Sequence, residues 1–145
     1  MATDKITIRQ ATINDFDVLE AINQTSSTTP YQTFALKNAI NQQCCFCVTL
    51  DDHTIIAWMA IQKGFELIDI LYITTANDFK RKGLSRKLFQ YIRTHYPNYE
   101  IMLEVRKSNT SAIQLYESLG MTFLNERKNY YINPNENALV YKYFL

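Results

Sequence analysis

Residues 44–50, 54–62 and 65–74 form three β-branched and aromatic runs, broken only at Asp51-Asp52 and Lys63-Gly64. Breaks of that kind between strand-like runs are hairpin signals, so the three runs are expected to pair antiparallel as a meander. The period then changes. Leu84, Leu88, Phe89 and Ile92 recur at helical spacing, predicting a helix over residues 85–96 that Pro97 closes, and residues 99–105 return to strand. A helix lodged between two strands must cross from one to the other, which rules out an all-β chain.

The flanks complete the order. Residues 5–11 alternate, with Ile6 and Ile8 on one face, and predict a first strand. Asn14 is placed to cap a helix whose apolar stripe is Phe16, Val18, Leu19 and Ile22, and a second short helix is expected over residues 34–40. Residues 109–119 predict a helix with Ala112, Ile113, Tyr116 and Leu119 inward and Gly120 in the left-handed position past its end. Strands over 121–132 and 138–145, joined by the turn-rich Asn133-Pro134-Asn135-Glu136-Asn137, close the chain. The order β-α-α-β-β-β-α-β-α-β-β has no repeat and no linker, and predicts one mixed α+β domain over residues 1–145.

Composition narrows the function. A 145-residue chain that is 47% hydrophobic and 20% charged buries a core without staples. Fifteen Lys and Arg against fourteen Asp and Glu argue against nucleic acid or an anionic membrane as the main partner, so any basic site is local. The start lacks the order of a signal peptide and no run reaches a membrane-spanning length, so a cytoplasmic protein is expected. Cys44, Cys45 and Cys47 are too few and too close for a disulfide framework, and His53 and His95 stand isolated, so no metal is expected. The cysteines read as small apolar residues of a half-buried strand.

Two stretches carry chemistry. Gly83 lies between a strand end and a helix start, and five of the eight residues from Lys80 to Lys87 are basic. Free N–H groups at a helix start hold phosphate, and glycine permits close approach, although a basic helix start is also how a solvated face reads. Farther on, Glu104 interrupts an apolar strand, where a carboxylate is costly to bury without a job or a partner. Arg106 serves as that partner only by reaching around the strand. Asn109 and Tyr116, seven residues apart, fall on nearly the same helix face, about 10 Å apart along the axis, so one elongated ligand can touch both. Asn109 reads equally as an N-cap, and Tyr116 as core packing.

Lys80 to Ser85 resembles the [QR]-x-x-G-x-[GA] pyrophosphate loop of the GNAT superfamily of acetyl-CoA-dependent N-acetyltransferases, with Lys80 and Ser85 off that pattern. Residues 103–121 and 128–138 resemble the C-terminal motifs of bacterial members that acetylate the N-terminal alanine of a ribosomal protein. The resemblance implies a GNAT fold, a mixed sheet of about seven strands flanked by about four helices. It implies acetyl-CoA as co-substrate, held by Ile73, Thr74 and Thr75 at the pantetheine and thioester, by Arg81, Lys82, Gly83, Leu84, Ser85 and Arg86 at the pyrophosphate, and by Asn109. Glu104 falls on the proton-acceptor position and Tyr116 on the proton-donor position, with Tyr130 and Tyr131 lining the cleft for the N-terminal segment of a protein substrate. That acceptor would be a small-subunit ribosomal protein. The other readings are acetylation of a small amine and a non-catalytic module that binds acetyl-CoA or nucleic acid.

Overall fold

The computed structural model describes residues 5–145. They form seven strands in one sheet of order β1-β2-β3-β4-β5-β7-β6 and four α-helices, the α+β class expected. The residues gather into two compact units interleaved along the chain, one built from residues up to Gln62 with Tyr72–Pro97, the other from Lys63–Leu71 and Asn98–Leu145.

In the first unit β1 (Ile6–Gln10) pairs antiparallel with β2 (Cys45–Leu50), which pairs antiparallel with β3 (Thr54–Lys63). Strands β2 and β3 are buried nearly throughout, as continuous apolar runs must be when both faces of a sheet are covered. Helices α1 (Phe16–Ser26) and α2 (Thr33–Asn41) place Leu19, Ile22, Leu36 and Ile40 against Cys45, Cys47 and Trp58. Trp58 donates its Nε1–H to the Leu19 carbonyl at 3.1 Å, which satisfies the one polar atom of a fully buried ring. Asn14 does not cap α1. It lies inside a short 3₁₀ turn, Ile13–Asp15, whose start is held by Thr12, with the Thr12 N–H donating to Asp15 at 2.8 Å. A carboxylate at that position accepts more strongly than an amide, and it also pairs with Arg9 at 2.8 Å. Val18, assigned to the apolar stripe, is exposed, while Leu19 and Ile22 are buried and Phe16 packs partly buried against the core.

Helix α3 (Leu84–His95) begins one residue earlier than expected, with Gly83 as its N-cap, and buries Leu84, Leu88, Phe89 and Ile92. Tyr91 packs its ring 5.5 Å from Phe46 of β2.

In the second unit β5 (Glu100–Arg106) pairs antiparallel with β7 (Glu136–Tyr143), and β6 (Thr122–Tyr131) lies outside β7. Strand β4 (Leu67–Thr75) pairs parallel with β5 from Leu67↔Glu100 to Ile70↔Leu103, the crossover the intervening helix demanded. Along β5, Ile101, Leu103 and Val105 are buried, so Met102, Glu104 and Arg106 share the other face. Helix α4 (Thr110–Ser118) ends where Gly120 adopts φ 93°. Residues 132–135 alone form the last turn. Glu136 and Asn137, expected in the loop, are strand residues because Tyr131 pairs with Glu136 across the hairpin.

Candidate active site

In the first unit the basic loop is built as a helix start. Gly83 sits at φ 76°, in the left-handed region, and a Cβ added there would meet nothing within 4 Å, so the space above its backbone is open. The first helical bond runs from the Lys87 N–H to the Gly83 carbonyl, which leaves the N–H groups of the opening turn without intrahelical acceptors. Arg81 also adopts a left-handed φ of 63°. Arg81, Lys82 and Lys87 are exposed, and Ser85 and Arg86 are half-buried. Such a turn offers aligned donors, the positive end of a helix and mobile cations to an anion. Lys80 takes a different part. Its ammonium donates to the Ser26 carbonyl at the end of α1, at 2.9 Å, beside an Asn77 to Thr25 bond of 3.0 Å. Tyr72 bonds Ser27 and Thr29 of the same connection, so three residues fix the chain that leaves α1.

The β4–β5 ladder stops at Ile70↔Leu103, although β4 continues to Thr75. Of the three expected contact residues, Thr74 is buried and Ile73 and Thr75 are half-buried.

The second unit holds the candidate acid–base groups. Burial raises the Glu104 carboxyl above its ordinary range, and the neighbouring Asp69 raises it further, while Arg127 opposes both. Arg127, not Arg106, is the cation beside Glu104: its Nη2 lies 3.7 Å from Oε1, beyond hydrogen-bond length. Arg106 turns to Glu136 at 3.2 Å. Burial likewise holds the Asp69 carboxyl high. Two carboxylates facing one guanidinium leave the face with an excess of negative charge.

Asn109 caps α4, its Oδ1 accepting from the Ala112 N–H at 3.2 Å. That bond occupies the oxygen and leaves the side-chain NH₂ as the group available for contact. Two turns on, burial pushes the Tyr116 hydroxyl up to about 12. The Tyr116 ring is half-buried. Tyr131, half-buried, feels Tyr130, Glu104 and Tyr116, and burial first raises its hydroxyl to about 12 as well. Tyr130 is 45% exposed, its ring edge-on to Tyr131 at 5.1 Å and under the Arg127 guanidinium. Glu104, Tyr116, Tyr130 and Tyr131 therefore share one neighbourhood.

Sequence reasoning missed Asp69 and Arg127. Asp69 carried a readable signal, being the only charged residue in an apolar run from Leu67 to Thr75, the same anomaly that marked Glu104. Arg127 carried none, because β6 also holds Glu126 and Lys128 and only strand pairing shows which of the three faces Glu104. Among the described residues no group of three or more His, Cys, Asp or Glu side chains gathers to hold a metal.

The first unit thus offers an open, basic helix start and the second a raised carboxyl among tyrosines, chemistry of a kind suited to group transfer. The chain belongs to the acetyltransferase (GNAT) family, whose sequence model matches residues 11–121. It is 36% identical over 98 residues to the ribosomal protein bS18-alanine N-acetyltransferase of Salmonella typhimurium, an alignment covering 64% of this chain and 66% of that protein, just under two thirds. It is 26% identical to an N-alpha-acetyltransferase of Saccharolobus solfataricus, over 92% of this chain and 90% of the relative. The fold superimposes with a TM-score of 0.88 on the crystal structure of the ribosomal-protein-S18-alanine N-acetyltransferase from Escherichia coli, at 26% identity, covering 96% and 93% of the two chains.

Proposed function

We propose that this acetyltransferase moves the acetyl group of acetyl-CoA to the N-terminal α-amino group of a protein, the N-terminal alanine of a small-subunit ribosomal protein being the acceptor the relatives' names suggest. The observation that carries the reading is that a desolvated Glu104 and a protonated Tyr116 both lie near Tyr131 in the second unit.

An α-amine with pKa near 8 is mostly an ammonium at neutral pH and must lose a proton to attack a thioester. Glu104, with its basicity raised by burial and by Asp69, takes that proton directly or through water. The amine nitrogen then forms a bond to the acetyl carbon, the adduct nitrogen gives up its second proton to solvent, and the C–S bond breaks as the tetrahedral adduct collapses. Tyr116 gives its hydroxyl proton to the departing thiolate, and its high pKa keeps that proton in place until the sulfur needs it. The main chain near Thr75 supplies donors for the oxyanion. Arg81, Lys82, Gly83, Leu84, Ser85 and Arg86 hold the pyrophosphate, Ile73 and Thr74 receive the pantetheine, and the Asn109 amide touches the donor as well. Tyr130 and Tyr131 line the path of the acceptor chain. The reading needs no metal, no nucleic acid and no membrane, and it places the enzyme in the cytoplasm. No helix among the described residues is long and apolar enough to cross a membrane.

The excess negative charge of Asp69 and Glu104 also favours a second acceptor class, small cationic amines. Acetylation of peptides with varied first residues, run beside spermidine, separates the two. Turnover of Ala-initiated peptides supports the protein substrate, and a preference for spermidine over every peptide overturns it.

A further inference from the structure

One ion pair of the second unit has no part in the chemistry above. Arg106 and Glu136 are each only 18% exposed. The Arg106 Nη1 donates to Glu136 at 3.2 Å and to the Pro134 carbonyl at 3.0 Å, while its guanidinium carbon stands 4.3 Å from the Tyr131 ring centroid. Glu136 accepts with its second oxygen from the Ser108 N–H at 2.6 Å. One pair therefore holds three things: the Tyr131 ring, the 132–135 turn and the β5–α4 turn.

A planar fork that stacks on an aromatic face while donating at its edge is specific to arginine, since an ammonium cannot do both. A second set of contacts runs alongside. Lys107 bonds Glu126 at 3.1 Å, Asn137 donates to Glu126 at 2.7 Å and accepts from the Asn129 N–H at 2.9 Å. Those bonds fix the β6–β7 hairpin without touching Tyr131, so stability of the hairpin and placement of the tyrosine have separate supports.

We propose that Arg106 is a positioning residue for the acceptor chain, acting through the Tyr131 ring and the 132–135 turn, with Glu136 anchoring it to the β5–α4 turn. The proposal rests on Tyr130 and Tyr131 lining the acceptor path. It does not concern Glu104 or the donor.

Arg106→Met removes the stack, the ion pair and the Pro134 bond together, and Arg106→Lys keeps only charge. The expected result for Arg106→Met is a rise in KM for an Ala-initiated peptide of about 10-fold, with kcat within about threefold and the KM for acetyl-CoA unchanged. Arg106→Lys, which serves if the Met variant does not fold, shows the same split at smaller size. Glu136→Gln shows a smaller rise in peptide KM, and the double variant is no worse than Arg106→Met, because both act through one contact. A merely structural pair would instead lower the active fraction, reducing apparent kcat with both KM values intact, and that outcome overturns the proposal. So does an equal rise in both KM values. Amide exchange provides an arm that needs no turnover: the Ser108 N–H should exchange about 10-fold faster in Arg106→Met. If the wild-type protein acetylates no peptide, the acceptor assignment has failed by itself, and an unchanged Ser108 exchange rate then rejects the clamp separately.

Discussion

The Arg127 guanidinium lies 3.7 Å from the Glu104 carboxylate, close enough to favour its charged form and too far to hydrogen-bond it. Glu104 thus keeps free lone pairs for an incoming proton while burial and Asp69 hold its pKa above the ordinary carboxylate range.

That balance predicts a pH profile. With Glu104 as the base, kcat/KM is expected to fall as pH drops through its folded pKa, and the acid limb to lie above that of a free carboxyl. Arg127→Met removes the cation that lowers this pKa, so the limb moves to higher pH. Initial rates from pH 5 to 9 on an Ala-initiated peptide check it; a limb that stays in place counts against Glu104 as the base.

Glu104→Gln keeps the shape and removes the basicity. A loss in kcat of about 10²-fold or more is expected, as general bases contribute, with the KM for acetyl-CoA little changed.

Tyr116→Phe deletes only the hydroxyl. The expected loss in kcat is about 10²-fold without movement of the acid limb, and because the hydroxyl is pushed up to about 12 it produces no basic limb below about pH 10 in the wild type. A basic limb near neutrality that Tyr116→Phe abolishes would contradict the pKa direction.

Gly83→Ala tests the loop. The added methyl meets nothing, yet φ 76° is strained for any residue with a Cβ, so the variant loses roughly 1–2 kcal/mol of stability. It also raises the KM for acetyl-CoA about 10-fold as the N–H groups tilt away from the pyrophosphate. Urea unfolding and donor titration measure the two effects.

The Arg9–Asp15 pair predicts acid sensitivity unrelated to catalysis. Asp15 is lowered to about 2 by its hydrogen bond to Arg9, so its contribution to stability is complete above the unfolded value near 4 and disappears as pH falls from about 4 to about 2. Arg9 is 45% exposed, so solvent screening reduces that contribution to about 1 kcal/mol. Arg9→Met should lose that amount at pH 7 and nothing further at pH 2, by urea midpoints.

Strand and helix order, the crossover helix, the glycine-led helix start, and the anomaly of Glu104 were legible because each follows from local period, local turn chemistry or the cost of burying a charge. A motif with fixed spacing, such as Asn109 and Tyr116 on one helix face, is likewise local. Tertiary structure alone decided which cation meets Glu104, that Lys80 turns to Ser26 rather than joining the phosphate cradle, and that β7 inserts between β5 and β6. Glu104 and Arg127 lie 23 positions apart, Lys80 and Ser26 54, and the β5–β7 partners 32 to 42, separations at which no local pattern names the partner. Sequence by itself therefore determined the chemistry this chain carries, and the sheet order determined which groups set the protonation state in which that chemistry runs.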